Sequence, residues 1–206
     1  MKRRCAKAAL EFVPESGTIG LGGGETISYL CKDIKEQGKN VKIITPSENT
    51  KKICEELDLT VIPIQKAEEV CIAFDGCDQV DCELNAYKSG GGIHTKEKIV
   101  AQLAEEYVLL VDETKVVKEL NCKVPIVLEI IPEAINYVTK KAEELGAVVK
   151  VRDAHLLELY FEYIKDLKKL DEDLKKVTGV IETSLFYQIA TKAIVAGADG
   201  IHIIER

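Results

Sequence analysis

The chain has 206 residues, of which 46% are apolar and 31% charged, a balance that is typical of a globular protein and excludes a disordered chain. Its formal net charge of −7 argues against nucleic acid and anionic membranes as partners. No apolar run is long enough to span a membrane, and the basic N-terminal segment lacks the apolar core of a signal peptide.

Strand and helix patterns alternate along the first part of the chain. Apolar runs bounded by glycine or proline predict helices at 3–13, 25–37, 48–57 and 96–104 and strands at 18–21, 41–45, 60–64, 70–74 and 108–111. Strands that alternate with helices favour right-handed βαβ units and a mainly parallel sheet.

The pattern changes near Pro125. The predicted order is a strand at 127–131, a helix at 132–145, strands at 148–152 and 156–161, a helix at 166–177 and a strand at 180–186. This β-α-β-β-α-β order is typical of a ferredoxin-like unit, and the strands at 193–196 and 200–204 predict a closing hairpin. We therefore expect an α/β fold. A Rossmann-like, mainly parallel sheet domain (1–125 plus 187–206) carries a smaller ferredoxin-like α+β domain (126–186) inserted near the C-terminus.

The seven cysteines are an odd number and are scattered. Cys71, Cys77 and Cys82 lie close together, but their spacing fits no zinc pattern. Reduced thiols that pack as small hydrophobes are the better interpretation, so we expect a cytoplasmic protein with no metal site.

Two of the predicted strands end in residues that could bind a ligand, because ligands of open parallel sheets collect at the carboxyl ends of the strands. Glycines at 20–24, followed by Glu25 and Thr26 at a helix start, could cradle an anion or could form only a tight turn. Asp75 and Asp78 follow an apolar strand, where they could bind hydroxyl groups or belong to an Asp-Gly turn.

A third candidate feature runs from Lys88 through three glycines to Glu97. It predicts a carboxylate in the first turn of a helix, where exposed backbone groups lie beside it. Such a carboxylate could be held over a ligand, or could only complement the helix dipole. His94, within this segment, is expected to be a polar loop residue rather than a catalyst.

Together these segments resemble the type A ribose-5-phosphate isomerases. GLGGGET, FDGCDQV, KSGGGIHTKEK and VDETK stand in the order and approximate spacing of that family's GxGTGST, DGADE, KGGGAxxxxEK and DxSK. The resemblance extends through VPIVLEIIP to Thr178-Gly179-Val180, and so over nearly the whole chain. It implies an enzyme of the pentose phosphate pathway that interconverts ribose 5-phosphate and ribulose 5-phosphate through an enediolate. No metal and no cofactor are implied, and a homo-oligomer, dimer or tetramer, is expected.

The resemblance also implies roles for individual residues. Glu97 matches the family's catalytic glutamate, Lys88 would stabilise the enediolate, and Asp75 and Asp78 would bind hydroxyls and help to open the furanose ring. Lys2 could assist at the phosphate end. The residues expected to bind substrate are Gly23, Gly24, Glu25, Thr26, Gly76, Cys77, Ser89, Gly90, Gly91 and Lys115.

The phosphate loop departs from the family pattern. Gly23 and Glu25 replace a threonine and a serine, and a carboxylate there would repel phosphate unless it turns outward or pairs with a lysine such as Lys115. Alternatives therefore stay open: an isomerase of a different sugar, a non-catalytic sugar-phosphate-binding or sensor protein of the same fold, and a CoA-transferase.

Overall fold

The structure is a computed structural model that describes all residues, 1–206. Its helices are α1 (Lys2–Leu10), α2 (Glu25–Glu36), α3 (Glu48–Glu56), α4 (His94–Leu103), α5 (Ile135–Glu144) and α6 (Leu167–Lys175). Its strands are β1 (Ser16–Leu21), β2 (Asn40–Ile44), β3 (Thr60–Val61), β4 (Val70–Asp75), β5 (Gln79–Val80), β6 (Ala86–Tyr87), β7 (Ala104–Asp112), β8 (Ile126–Ile130), β9 (Val148–Val151), β10 (Leu156–Tyr160), β11 (Val180–Thr183), β12 (Leu185–Phe186), β13 (Lys192–Gly197) and β14 (Gly200–Glu205).

The main layer is a seven-stranded sheet of order β14-β13-β7-β4-β1-β2-β3. All its neighbouring strands run parallel except β13 and β14, which form the predicted antiparallel hairpin. Apolar side chains of α1, α2 and α3 cover one face of this sheet, and those of α4 pack on the other. The predicted mainly parallel α/β sheet is therefore confirmed.

A second sheet, of order β11-β8-β10-β9, is antiparallel throughout. Residues of α5 and α6 pack on it around a separate apolar core. This is the strand order of a ferredoxin-like unit, and the predicted smaller α+β unit near the C-terminus is confirmed. Its limits at 126 and 186 stay a prediction.

The chain passes between the layers at Ser184. The predicted single strand 180–186 is split there into β11, in the four-stranded sheet, and β12, which pairs with β6 in a small three-stranded sheet with β5. The strand predicted at 60–64 is only two residues long, because Pro63 has no N–H to extend the ladder. None of the helices has the length and apolar character needed to cross a membrane.

Candidate active site

A cleft of about 400 Å³ opens at the carboxyl ends of β1, β2 and β4, where the start of α4 closes it. This is the position expected for a ligand in an open parallel sheet. The residues that line it are Gly23, Gly24, Ser47, Asp75, Gly76, Cys77, Asp78, Lys88, Gly91, Ile93, Glu97 and Lys115.

Asp75, the last residue of β4, is buried and fully engaged in hydrogen bonds. Its Oδ1 accepts from the backbone N–H groups of Gly76 at 2.8 Å and Gly23 at 3.3 Å. Its Oδ2 receives the ammonium of Lys88 at 2.9 Å and the hydroxyl of Tyr107 at 3.3 Å. A Cβ at Gly22 would lie 2.0 Å from this carboxylate, so glycine is required for the loop to pass so close to Asp75.

Lys88, which follows β6, extends into the floor of the cleft with its side chain only 5% exposed. Besides Asp75 its Nζ contacts Glu97 Oε1 at 3.3 Å and donates to the Gly76 carbonyl at 2.6 Å. Burial works against its charged form, but the carboxylates of Asp75 and Glu97 outweigh burial and raise the pKa of Lys88. The lysine is therefore a fixed cation between two carboxylates.

Glu97 lies in the first turn of α4, as predicted, and its side chain is buried. Burial, together with the nearby charge of Asp75, raises the pKa of Glu97 to about 7, although Lys88 opposes the rise. A carboxylate with this pKa can both take up and release a proton near neutral pH.

Asp78 is held by the glycine-rich loop through one oxygen only. Its Oδ2 accepts from the backbone N–H groups of Ser89 at 2.7 Å and Gly90 at 2.8 Å. The protein donates no hydrogen bond to Oδ1, so this atom can accept one from a ligand. Arg152 supports the same loop from the four-stranded sheet side by donating to the Ser89 carbonyl at 2.9 Å.

The other end of the cleft carries groups suited to an anion. Gly24 is the N-cap of α2, with φ +99°, and no side chain caps that helix start. Lys115 reaches the cleft and donates to the Cys77 carbonyl at 2.7 Å. A helix N-terminus and a lysine at one end of a cleft favour a phosphate group there.

Glu25 turns away from the cleft. Its carboxylate pairs with Lys2 Nζ at 2.6 Å and accepts from the Tyr29 hydroxyl at 3.1 Å, and both contacts are exposed. These hydrogen bonds, that of Lys2 first, hold the pKa of Glu25 below its ordinary value. Glu25 thus both turns outward and pairs with a lysine, as expected, but the lysine is Lys2 rather than Lys115.

Ten of the fourteen predicted site residues line the cleft: Glu97, Lys88, Asp75, Asp78, Gly23, Gly24, Gly76, Cys77, Gly91 and Lys115. Four do not. Glu25 is turned outward, and Thr26 faces a separate cavity of about 40 Å³ beside α1. Ser89 is buried with its hydroxyl bonded to the Pro125 carbonyl, and Gly90 contributes through its bond to Asp78.

Sequence reasoning missed Ser47 and Ile93, which also line the cleft. Ser47 follows β2 and caps α3. It could have been predicted, because ligands of open parallel sheets bind at the carboxyl ends of the strands. Ile93 is apolar and gave no signal. His94 is not the loop residue that was predicted: it begins α4, is fully buried, and its Nε2 lies 3.2 Å from the Glu182 carbonyl. It does not line the cleft. Nowhere do three or more His, Cys, Asp or Glu side chains form a group that could hold a metal ion.

Comparisons with known proteins agree with this geometry. A family model described as ribose 5-phosphate isomerase A (phosphoriboisomerase A) matches residues 42–200. The ribose-5-phosphate isomerase A of Streptococcus pneumoniae (strain Hungary19A-6) is 32% identical over 220 residues, which cover 99% of this chain and 96% of that protein.

Two solved structures are similar over nearly their whole length. Ribose 5-phosphate isomerase A from Neisseria gonorrhoeae has a TM-score of 0.93 at 28% identity, covering 99% of this chain and 95% of its own. The Methanocaldococcus jannaschii ribose 5-phosphate isomerase A has a TM-score of 0.90 at 31% identity, covering 100% and 98%. The similarity in sequence and in fold therefore covers nearly the whole chain, including all three sheets.

Proposed function

The chain belongs to the ribose 5-phosphate isomerase A family, and we propose that it interconverts ribose 5-phosphate and ribulose 5-phosphate with Glu97 as the proton-transferring base. One observation carries the assignment: at the floor of the cleft the buried Lys88 pairs with both Glu97 and Asp75, which are buried as well. A site that only bound a sugar phosphate would have no need of a buried carboxylate whose pKa is about 7. The geometry thus favours an enzyme over a sugar-phosphate sensor.

Proton transfer by Glu97 accounts for the movement of the carbonyl group. Its carboxylate removes the proton from C2 of the open-chain aldose, and the electron pair of that C–H bond forms the C1–C2 double bond of an enediolate. The negative charge develops on O1. The proton of the C2 hydroxyl passes to O1, Glu97 returns its own proton to C1, and the carbonyl forms at C2. A pKa of about 7 suits both halves of this exchange.

Lys88 is suited to stabilise the charge of the enediolate. It is buried and cationic, and it is already held 3.3 Å from the base. A fixed cation in a poorly hydrated site stabilises developing negative charge without having to reorganise. Asp75 holds Lys88 in place, and since both Asp75 oxygens already accept hydrogen bonds, we assign hydroxyl binding and ring opening to Asp78 through its unengaged Oδ1.

We assign the phosphate group to the opposite end of the cleft. The start of α2 at Gly24, the backbone of Gly23, the Ser47 side chain and Lys115 lie there. A substrate bound in this way has its phosphate at the helix N-terminus and its C1–C2 unit beside Glu97 and Lys88. The orientation follows from charge, since the floor beneath Glu97 also holds Asp75 and would repel a dianion.

Three further properties belong to the proposal. The reaction needs no metal, because Glu97 supplies the proton transfer and Lys88 the charge stabilisation. Cytoplasmic location is supported by seven cysteines that are all free. Self-association is supported by apolar side chains exposed on the smaller unit, including Tyr163, Val148 and Val151.

Incubation with ribose 5-phosphate after exhaustive dialysis against EDTA tests the function. Ribulose 5-phosphate should appear, and unphosphorylated ribose should turn over far more slowly because it lacks the anion. Binding of ribose 5-phosphate without turnover would point to the sensor instead. Activity that is lost on chelation and restored by a divalent ion would refute metal independence.

A further inference from the structure

Lys98 follows the catalytic Glu97 on α4 but points away from the cleft, and its side chain is only 3% exposed. Its Nζ donates to the carbonyls of Thr183 at 2.7 Å and Leu185 at 2.9 Å and pairs with Glu182 Oε1 at 2.9 Å. An ammonium has three N–H donors, so all of them are used within the protein. Lys98 therefore has no donor left for a substrate.

The segment that Lys98 holds is the crossover from the four-stranded sheet to the three-stranded sheet. The same crossover holds Lys88, because the Ser184 carbonyl accepts from the Lys88 backbone N–H at 2.9 Å. The next residue but one, Phe186, has its ring 5.8 Å from Lys88 Nζ and 4.9 Å from Lys98 Nζ. The crossover segment therefore contacts both α4, which carries Glu97, and the end of β6, which is followed by Lys88.

The contact of α4 with β11 includes a second residue. His94, one helical turn before Lys98, lies with its Nε2 3.2 Å from the carbonyl of Glu182, the residue that Lys98 also engages. Lys175 of α6 pairs with the Glu182 carboxylate as well, at 3.1 Å, and with Asp171 at 2.7 Å. His94 and Lys98 therefore fasten the helix that carries Glu97 to Glu182 at the end of β11, whereas Lys175 joins Glu182 to α6.

A buried ion pair is a weak source of stability, because desolvation consumes most of its Coulomb energy. Burial lowers the pKa of Lys98 to about 8 in spite of Glu182. A nonpolar residue of similar length could fill this space, but it would leave the Thr183 and Leu185 carbonyls without this donor. What the lysine adds is direction, since three fixed acceptors set the position of α4 against the crossover.

We propose that Lys98 is a positioning residue for the isomerisation: it docks α4 on the Thr183–Leu185 crossover and so sets Glu97 against Lys88. The inference rests on the proposed function of Glu97. Without Lys98 the start of α4 can shift relative to the crossover, and the contact of 3.3 Å between Glu97 and Lys88 loosens. Displacement of a catalytic group by about 1 Å can cost on the order of 10²-fold in rate.

The test compares Lys98→Met with Lys175→Met. Methionine keeps an unbranched apolar stem, and Glu182 retains Lys175 as its partner, so no buried charge is left unpaired. Lys98→Met should lower kcat for ribose 5-phosphate by about 10–10²-fold with KM changed less than about twofold. Lys175→Met, which removes a cation from the same cluster without touching α4, should keep kcat within about twofold. Equal kcat in Lys98→Met and wild type would overturn the proposal.

A second readout does not need turnover. Lys98 is not in contact with Glu97, whose charged neighbours are Asp75, Asp78 and Lys88, whereas Lys98 itself faces Glu182, Lys175 and Asp171. Removing Lys98 together with the Glu182 carboxylate leaves the net charge of this cluster unchanged, so a change in the titration of Glu97 then reports its movement away from Lys88. Carbon-13 NMR titration of the Glu97 carboxyl should give a higher pKa in Lys98→Met with Glu182→Gln than in wild type, and an unchanged pKa would overturn the proposal.

The two readouts separate failure of the inference from failure of the function. A wild-type protein that does not isomerise ribose 5-phosphate would refute the proposed function, and the titration would still decide whether Lys98 positions Glu97. Should Lys98→Met fail to fold, Lys98→Met with Glu182→Gln removes both charges together. That double variant should show the same loss of kcat, and wild-type kcat in it would equally count against the proposal.

Discussion

Replacing Glu97 with glutamine should stabilise the protein increasingly as the pH rises. Burial and the charge of Asp75 raise the pKa of Glu97 from 4.5 to about 7 in the folded protein. Between these two values the folded protein holds a proton that the unfolded chain has released. The stabilisation from this proton is complete below pH 4.5 and is lost as the pH rises through 7. Glutamine has no proton to lose, so the variant escapes this loss.

The size of the effect follows from the two pKa values. The difference between 4.5 and about 7 corresponds to about 3 kcal/mol of unfolding free energy, since each tenfold change is worth about 1.4 kcal/mol. Between pH 5 and pH 8 the advantage of Glu97→Gln over wild type should grow by about 2.5 kcal/mol. For a chain of this size that is roughly 5–10 °C in melting temperature.

Urea denaturation followed by far-ultraviolet circular dichroism at pH 5 and pH 8 measures this change. Glu25→Gln is the matched control, because Glu25 is exposed and hydrogen bonds from Lys2 and Tyr29 lower its pKa. The stability that Glu25 contributes is present above its unfolded pKa, so its variant should gain nothing as the pH rises. If the free energies of unfolding of wild type and Glu97→Gln changed equally between pH 5 and pH 8, Glu97 would titrate near its ordinary value, and the reasoning would be refuted.

Two further substitutions test the electrostatics of the cleft. Lys88→Met should lower kcat by about 10²–10³-fold, the usual cost of losing one charge-stabilising group. It should also move the acid limb of kcat/KM to higher pH, because Lys88 opposes the raised pKa of Glu97. A wild-type rate and profile would remove Lys88 from the mechanism. Glu25→Ser should lower KM for ribose 5-phosphate, because it removes a negative charge near the phosphate end and frees Lys2, which pairs with Glu25 at 2.6 Å. The kcat should change little, because Glu25 lies far from the reacting carbons. Loss of activity in steady-state assays would instead make Glu25 a recognition residue.

Much of the fold was predictable from local pattern. The continuous apolar run of β4 and the amphipathic pattern of α2 have their physical cause within the segment itself, and both elements formed within two residues of their expected limits. The three-stranded sheet was not predictable, because β5, β6 and β12 are two residues long and show no period. The break at Ser184 depends on which sheet each neighbour joins, and the strand pattern of 180–186 alone does not contain that information.

Some residues of the candidate site were likewise predictable from the sequence, and others were not. Glycine-rich loops and acids at strand ends placed Asp75, Lys88 and Glu97 in one cleft, because the carboxyl ends of parallel strands share an edge. The partner of Glu25 could not be predicted, since Lys2 and Lys115 lie at very different distances along the chain and only the packing of α1 against α2 selects Lys2. Lys98 gave no separate signal, because its three acceptors belong to a segment 84–87 residues further along the chain.

Turnover of ribose 5-phosphate by Glu97→Gln tests the central claim most directly. The amide keeps the shape of the side chain but cannot accept the proton, so kcat should fall by about 10²–10⁴-fold. Binding of ribose 5-phosphate, measured by calorimetry on the same variant, should stay within a few-fold of wild type, and Glu25→Gln should retain its kcat. A Glu97→Gln variant with wild-type kcat would contradict the account, because the proton would then be moved by another group.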